Sequence, residues 1–170
     1  MIIVITGLMA SGKSTVAQLV AEGLPKAVHL RGDTFRKMIV SGREEMSAEP
    51  SDEAVRQLKL RYSLTANAAR EYHRAGFDVV VQDNYYGEML PAFLQLLAPE
   101  ETKTVVLCPN AEAIASREQS RGKTGYSGFA VEALYRDFME TTPRIGLWLD
   151  NSEQTPKQTA QEILRACGRG

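Results

Sequence analysis

Between residues 7 and 15 the chain reads GLMASGKST, in which a glycine, four residues, a second glycine, a lysine and two hydroxyl residues follow one another. That spacing suits the holding of phosphate. Glycines let the backbone turn so that successive N–H groups point inward, and the amino end of a following helix continues the same anion nest. Gly7, Ala10, Ser11 and Gly12 would line the cradle, Lys13 would reach the terminal phosphates, Ser14 would ligate Mg²⁺, and Thr15 would offer its hydroxyl to an inner phosphate. A glycine turn with a surface lysine is the alternative. Position argues against it, because the apolar run MIIVIT precedes the segment and a helical pattern follows.

Three further clusters hold residues able to do chemistry. In HLRGDTFRKM (29–38), Asp33 either accepts a proton from a substrate hydroxyl while Arg36 grips an acidic or phosphorylated substrate, or it is the N-cap of its helix with Arg36 solvated. In FDVVVQDNYYG (77–87) an apolar strand ends in Asp83. The strand interior offers no other charge, so Asp83 is the candidate to share the Mg²⁺ with Ser14. Asn84, Tyr85 and Tyr86 then either wall a substrate or pack their loop. In SREQSRGKTGYSG (116–128), Arg117 and Arg121 lie one helical turn apart ahead of a glycine-flanked loop. They are either a lid over about 117–128 that closes on the transferring phosphoryl group or a solvated basic face. His29 and His73 have no metal-type partner at short spacing and read as structural, and Cys108 and Cys167 read as buried thiols.

To bring such clusters together, the elements that carry them must converge. β-rich runs at 2–6, 27–30, 77–83, 103–108 and 145–150 alternate with stretches whose apolar residues recur at helical spacing, which is the α/β signature. The strand middles are continuously apolar, as parallel strands covered by helices on both faces require. Ligands should then collect at the carboxyl ends of the strands. Helices are predicted from the glycine loop to Gly23, briefly after Asp33, from Ser51 or Asp52 to Gly76, and over 88–97, 110–122 and 128–141. A last one starts at Thr155, with Pro156 in the first helical position and Gln158 able to complete a capping box. The polar stretch SGREEMSAEPSD (41–52) reads as a loop.

Length and composition bound what such a sheet can be. A chain of 170 residues suits one domain over 1–170, and a domain of that size buries about 70% of the surface its unfolded chain exposes. With 44% hydrophobic and 24% charged residues and a net charge of -1, the chain is neither disordered, membrane-embedded nor strongly basic. The opening apolar stretch is too short for a signal peptide and no run approaches a membrane span, so the expected compartment is the cytoplasm, with no membrane partner.

With its four clusters in this order, the chain resembles the small P-loop kinases: shikimate, gluconate and adenylylsulfate kinases, chloramphenicol phosphotransferase and the kinase domain of polynucleotide kinase. The resemblance spans essentially the whole chain, and its phosphate loop is the specific part. It implies a three-layer P-loop NTPase fold, with a five-stranded parallel sheet in the order 2-3-1-4-5, helices on both faces and an arginine-bearing lid. It also implies ATP with Mg²⁺ as phosphoryl donor and a hydroxyl as acceptor. By position, Asp33 matches the base of chloramphenicol phosphotransferase and polynucleotide kinase, Arg36 matches the adjacent substrate-gripping arginine, and Arg117 and Arg121 match the lid arginines. The segment DNSEQTP (150–156) falls where such kinases pass the backbone around adenine. There is no second aspartate two residues from Asp33, as shikimate kinases have, and no motif of adenylylsulfate or nucleoside monophosphate kinases. Three functions follow from the resemblance: a kinase of a small-molecule hydroxyl, a kinase of 5′-hydroxyl nucleic-acid ends, or a nucleotide-binding regulatory or resistance protein with little turnover. Oligomeric state is left open.

Overall fold

The computed structural model describes residues 1–47, 49–120 and 131–169. β1 (Ile2–Gly7) is buried along its whole length and lies at the centre of a five-stranded sheet. α1 (Lys13–Glu22) follows the glycine loop and stops at Gly23. β2 (Ala27–Arg31) leads into the short α2 (Asp33–Lys37). The long α3 (Asp52–Arg74) is capped by Ser51, whose hydroxyl accepts from the Ala54 N–H, and precedes β3 (Asp78–Gln82). Then come α4 (Met89–Leu97), β4 (Thr102–Leu107), α5 (Ala111–Ser120), α6 (Val131–Thr141), β5 (Leu147–Leu149) and α7 (Pro156–Ala166). The strands pair in parallel in the order β2-β3-β1-β4-β5, as the resemblance implies.

Strand alternation divides the core in two. Ile2 and Val4 of β1 and Val79 and Val81 of β3 face a cluster that includes Tyr62, Ala66 and Ala69 of α3, Phe93 of α4 and Phe138 of α6. Ile3 and Ile5, with Val80, face the opposite cluster, built by Val16, Ala17 and Val20 of α1 and Ala160 and Ile163 of α7. Both faces are therefore covered, and the sheet's continuous apolar runs have their explanation. The predicted capping box at Thr155 is present: its hydroxyl accepts from the Gln158 N–H, and the Gln158 side chain accepts from the Thr155 N–H. Among the described residues no helix is long and apolar enough to cross a membrane.

Candidate active site

The glycine loop closes between the end of β1 and the start of α1. Gly12 holds the N-cap position with φ +90°, and Ala10 also lies in the left-handed region at φ +62°. An alanine there costs about 1–3 kcal/mol, a strain that such loops accept where backbone N–H groups must converge. Lys13 is buried, and its Nζ donates to the Leu8 carbonyl at 3.0 Å across the loop. Ser11 Oγ, buried within the loop, has no hydrogen-bond partner among the described residues. A hydroxyl donor held this way, beside a nest of N–H groups, fits a phosphate.

Beside the loop runs a cleft of about 270 Å³ lined by Gly12, Thr15, Arg117, Asn151, Gln154 and Pro156 among others. Its far wall is formed by residues of the segment 150–156, where the resemblance implies the adenine would lie. Asn151 is 3% exposed and its Nδ2 donates to the Ser11 carbonyl at 3.1 Å, while its Oδ1 has no partner among the described residues. The Arg117 guanidinium donates to the carbonyls of Ser11 (3.3 Å), Asn151 (2.7 Å) and Ser152 (3.3 Å), which ties α5 to the loop and to the β5–α7 connection. In this arrangement Arg117 borders the cleft. Arg121 and the lid positions 121–128 lie outside the described residues.

A second cluster sits at the carboxyl ends of β2 and β3. Asp33 is the first residue of α2, and Gly32 holds the N-cap position with no side-chain cap, so Asp33 is not the cap that the alternative reading required. Its carboxylate takes Arg36 Nε at 2.7 Å and Lys37 Nζ at 3.1 Å, with Arg61 Nη1 at 3.6 Å. Burial pushes the Asp33 pKa up, but the hydrogen bonds from Arg36 and Lys37 and the charges of Arg36 and Arg61 outweigh it, leaving a value lowered to about 2. Arg36 also pairs with Glu45, and Arg43 lies 3.4 Å from the same carboxylate. The Arg36–Glu45 pair holds residues 43–45 against α2, and the cavity left between Arg36, Gln57, Leu58 and Arg61 is about 20 Å³, room for about one water.

Ser14 and Asp83 were expected to share one metal ion, and the structure separates them. Residues 80 and 82 point to the α1 face and residues 81 and 83 to the α3 face, since β3 alternates. Ser14 opens α1 and accordingly meets Gln82, donating from Oγ to Oε1 at 2.8 Å. Asp83 faces α3, where Arg61 grips both carboxylate oxygens, Nε to Oδ2 at 2.6 Å and Nη2 to Oδ1. Gly32 packs on the same carboxylate so closely that a Cβ there would lie 2.1 Å from Asp83 Oδ2. Arg61 and Gln82 are the site residues that motif reading missed; strand parity would have found Gln82.

Tyr85 is a second correction. Of its two readings, substrate wall or loop packing, the structure takes the second: its side chain is 0% exposed and stacked on Phe93 with ring centroids 3.9 Å apart. The Thr6 hydroxyl explains this burial, because it donates to the Tyr85 carbonyl (2.6 Å) and accepts from the Tyr85 N–H (2.9 Å), drawing the chain inward after β3. Tyr86 is half-buried and set edge-on against Phe138. His29 and His73 sit in no metal cluster, since the described residues contain no group of three or more His, Cys, Asp or Glu able to hold a metal ion. Burial raises the pKa of both cysteines, which are half-exposed rather than fully buried.

The family model described as "AAA domain" matches residues 2–142. None of the curated proteins matches the sequence. Among solved structures, a sugar kinase from Janibacter sp. HTCC2649 shares 19% identity at a TM-score of 0.69, covering 99% of this chain and 95% of its own. The tunicamycin resistance protein of Deinococcus radiodurans shares 17% identity at a TM-score of 0.76, covering 99% and 96%. A gluconokinase from Sinorhizobium meliloti 1021 shares 20% identity at a TM-score of 0.65, covering 98% and 91%. At these identities the likeness is one of fold.

Proposed function

The chain belongs to the AAA domain family, and from that premise we propose that it is an ATP-dependent phosphotransferase that moves the γ-phosphoryl group to a hydroxyl of a small molecule. One observation carries the reading: the glycine loop with Lys13 and Ser14 and the carboxylate of Asp33 occupy the carboxyl ends of β1 and β2 within one sheet. The structural neighbours named as a sugar kinase and a gluconokinase support a transferase.

ATP bound with Mg²⁺ supplies the phosphoryl group and neutralises its oxygens. Lys13 draws negative charge from the terminal phosphates, and Gly12, at the head of α1, offers N–H donors to them. Asp33 accepts the proton of the acceptor hydroxyl as the new O–P bond forms and the bond to the β-phosphate oxygen breaks, leaving ADP. A carboxylate with a pKa near 2 is a weak base. That is sufficient where the transition state is loose and the proton moves late, so Asp33 acts mainly by orienting the hydroxyl. Arg36 takes an acidic group of the acceptor in exchange for its exposed partner Glu45 while keeping Asp33, and Arg117 and Arg121 complete the enclosure of the phosphoryl group.

A kinase of nucleic-acid ends would need a basic stripe. Of Arg31, Arg36, Lys37 and Arg43, the residues that could form a local one, the last three are paired with Asp33 and Glu45, which leaves exposed Arg31 alone rather than a stripe, so the small-molecule reading is preferred. The deciding experiment incubates the protein with ATP, Mg²⁺ and panels of hydroxylated metabolites, nucleosides, antibiotics and oligonucleotides, reads ADP release, and locates the added phosphate by mass spectrometry. Lys13→Ala should abolish turnover, and Asp33→Asn should cut it by about 10²-fold or more while ATP binding stays nearly intact. Wild-type turnover by Asp33→Asn would remove Asp33 as the base. Tight ATP binding with no phosphorylated product across the panels would point instead to a regulatory or resistance role.

A further inference from the structure

We propose that Gln82 is the second protein oxygen of the magnesium subsite beside Ser14, and that this subsite carries no protein carboxylate, so the metal enters with the nucleotide phosphates instead of binding ahead of them. The inference rests on the nucleotide-binding reading above.

The geometry that carries it is local. Gln82 is 4% exposed, ends β3, and puts Oε1 2.8 Å from Ser14 Oγ, the hydroxyl that follows the phosphate-loop lysine. Two neutral oxygens at hydrogen-bonding distance, next to a phosphate nest, make one edge of an octahedral oxygen shell that phosphate oxygens and water can complete. The neighbouring carboxylate cannot substitute for the amide. Asp83 points to the opposite face of the strand, is 3% exposed, and has both oxygens on Arg61. No group of three or more His, Cys, Asp or Glu among the described residues offers a metal an independent site.

Charge balance gives a reason for an amide at this position. Arg61 already serves two carboxylates, Asp83 by a bidentate grip and Asp33 at 3.6 Å, while Arg36 and Lys37 are committed to Asp33. A carboxylate at residue 82 would stand beside Asp83 with no cation assigned to it until the metal arrived. The amide keeps an oxygen ligand without that unpaired charge. The metal is then held chiefly by phosphate, and the protein discriminates poorly between metal-free and metal-loaded nucleotide.

The test is equilibrium binding of a fluorescent ADP analogue to the full chain, in EDTA and in excess Mg²⁺, with calorimetry of Mg²⁺ alone as a second readout. For the wild type the two dissociation constants should agree within about threefold, and Mg²⁺ alone should give no binding heat, since Mg²⁺ relinquishes its water shell reluctantly without carboxylates or phosphates. Gln82→Asp should raise the preference for Mg²⁺ to about tenfold or more, equivalent to about 1.4 kcal/mol. Gln82→Glu is the backup if the shorter side chain impairs folding. A wild-type preference beyond about tenfold, or Mg²⁺ binding before nucleotide, would overturn the inference and leave the kinase reading standing. Failure to bind the analogue in either condition would overturn the nucleotide reading itself, and the inference with it.

Discussion

Arg61 is the residue that joins the carboxylates at the ends of β2 and β3. Its side chain is 12% exposed, and it closes a bidentate pair with Asp83, itself 3% exposed, while reaching toward Asp33. A buried pair contributes little net stability when formed, because both ions lose water, but removing one partner strands the other. Arg61→Ala should therefore cost about 3–5 kcal/mol in urea unfolding. Arg61→Ala combined with Asp83→Asn should recover most of that loss, whereas an unchanged deficit in the double variant would mean that Arg61 stabilises by packing alone. Little of this was legible in the sequence. Arg61 lies in the middle of a long helix, 22 residues before Asp83, with no motif around it. Asp83 stood out as the charge at the end of an apolar strand, but charge does not say which way a side chain points. The alternation of β3 does, and it puts Gln82 on the face of Ser14 and the glycine loop.

At the scale of elements the sequence was more informative, because helix and strand signals are local. Glycine stops, the start of α3 at Ser51 or Asp52 and the Thr155 capping box were each visible in a few residues, and the structure contains them. Shorter features are harder to read: 145–150 has the pattern of a strand, but Gly146 adopts φ +73° and only Leu147–Leu149 pair. The burial of Tyr85 was not legible, since it depends on the Thr6 hydroxyl, 79 residues away. β2, an edge strand, carries one further consequence. His29 points its Nδ1 at Gln18 Oε1 (2.9 Å), and its Nε2 has no partner among the described residues. Desolvation, helped by the Arg31 charge, lowers its pKa from 6.5 to about 4. The unfolded chain therefore binds more protons between those two values, and stability must fall as pH drops through that window. His29→Gln should make the urea midpoint less sensitive to a change from pH 7 to pH 5. Partial exposure will damp the effect, but an unchanged pH sensitivity in the variant would assign the slope to other groups.

For the whole molecule, parallel pairing brings the candidate residues that follow the strands to one edge of the sheet. The glycine loop leaves β1, Asp33 follows β2, Gln82 and Asp83 close β3, and Asn151 follows β5. The order β2-β3-β1-β4-β5 sets the loop between the β2–β3 flank and the β4–β5 flank, the reversal point at which ligands of such sheets gather. The β4–β5 flank reaches the loop itself by polar contacts: Arg117 and Asn151 both donate to the Ser11 carbonyl, tying α5 and the β5–α7 connection to it. A ligand in the adjoining cleft touches elements that cover opposite faces of the sheet, α1 on one and α5 on the other. Binding should thus stabilise the molecule as a unit. At a free nucleotide concentration 100 times the dissociation constant the gain is about 2.7 kcal/mol. For a domain of this length that corresponds to a rise in Tm of about 5–10 °C. Thermal unfolding monitored by circular dichroism should show one transition moving by that amount with ATP, and no shift in Lys13→Ala. If only part of the signal moved, or if Lys13→Ala shifted equally, nucleotide would not be bound across the loop and cleft together.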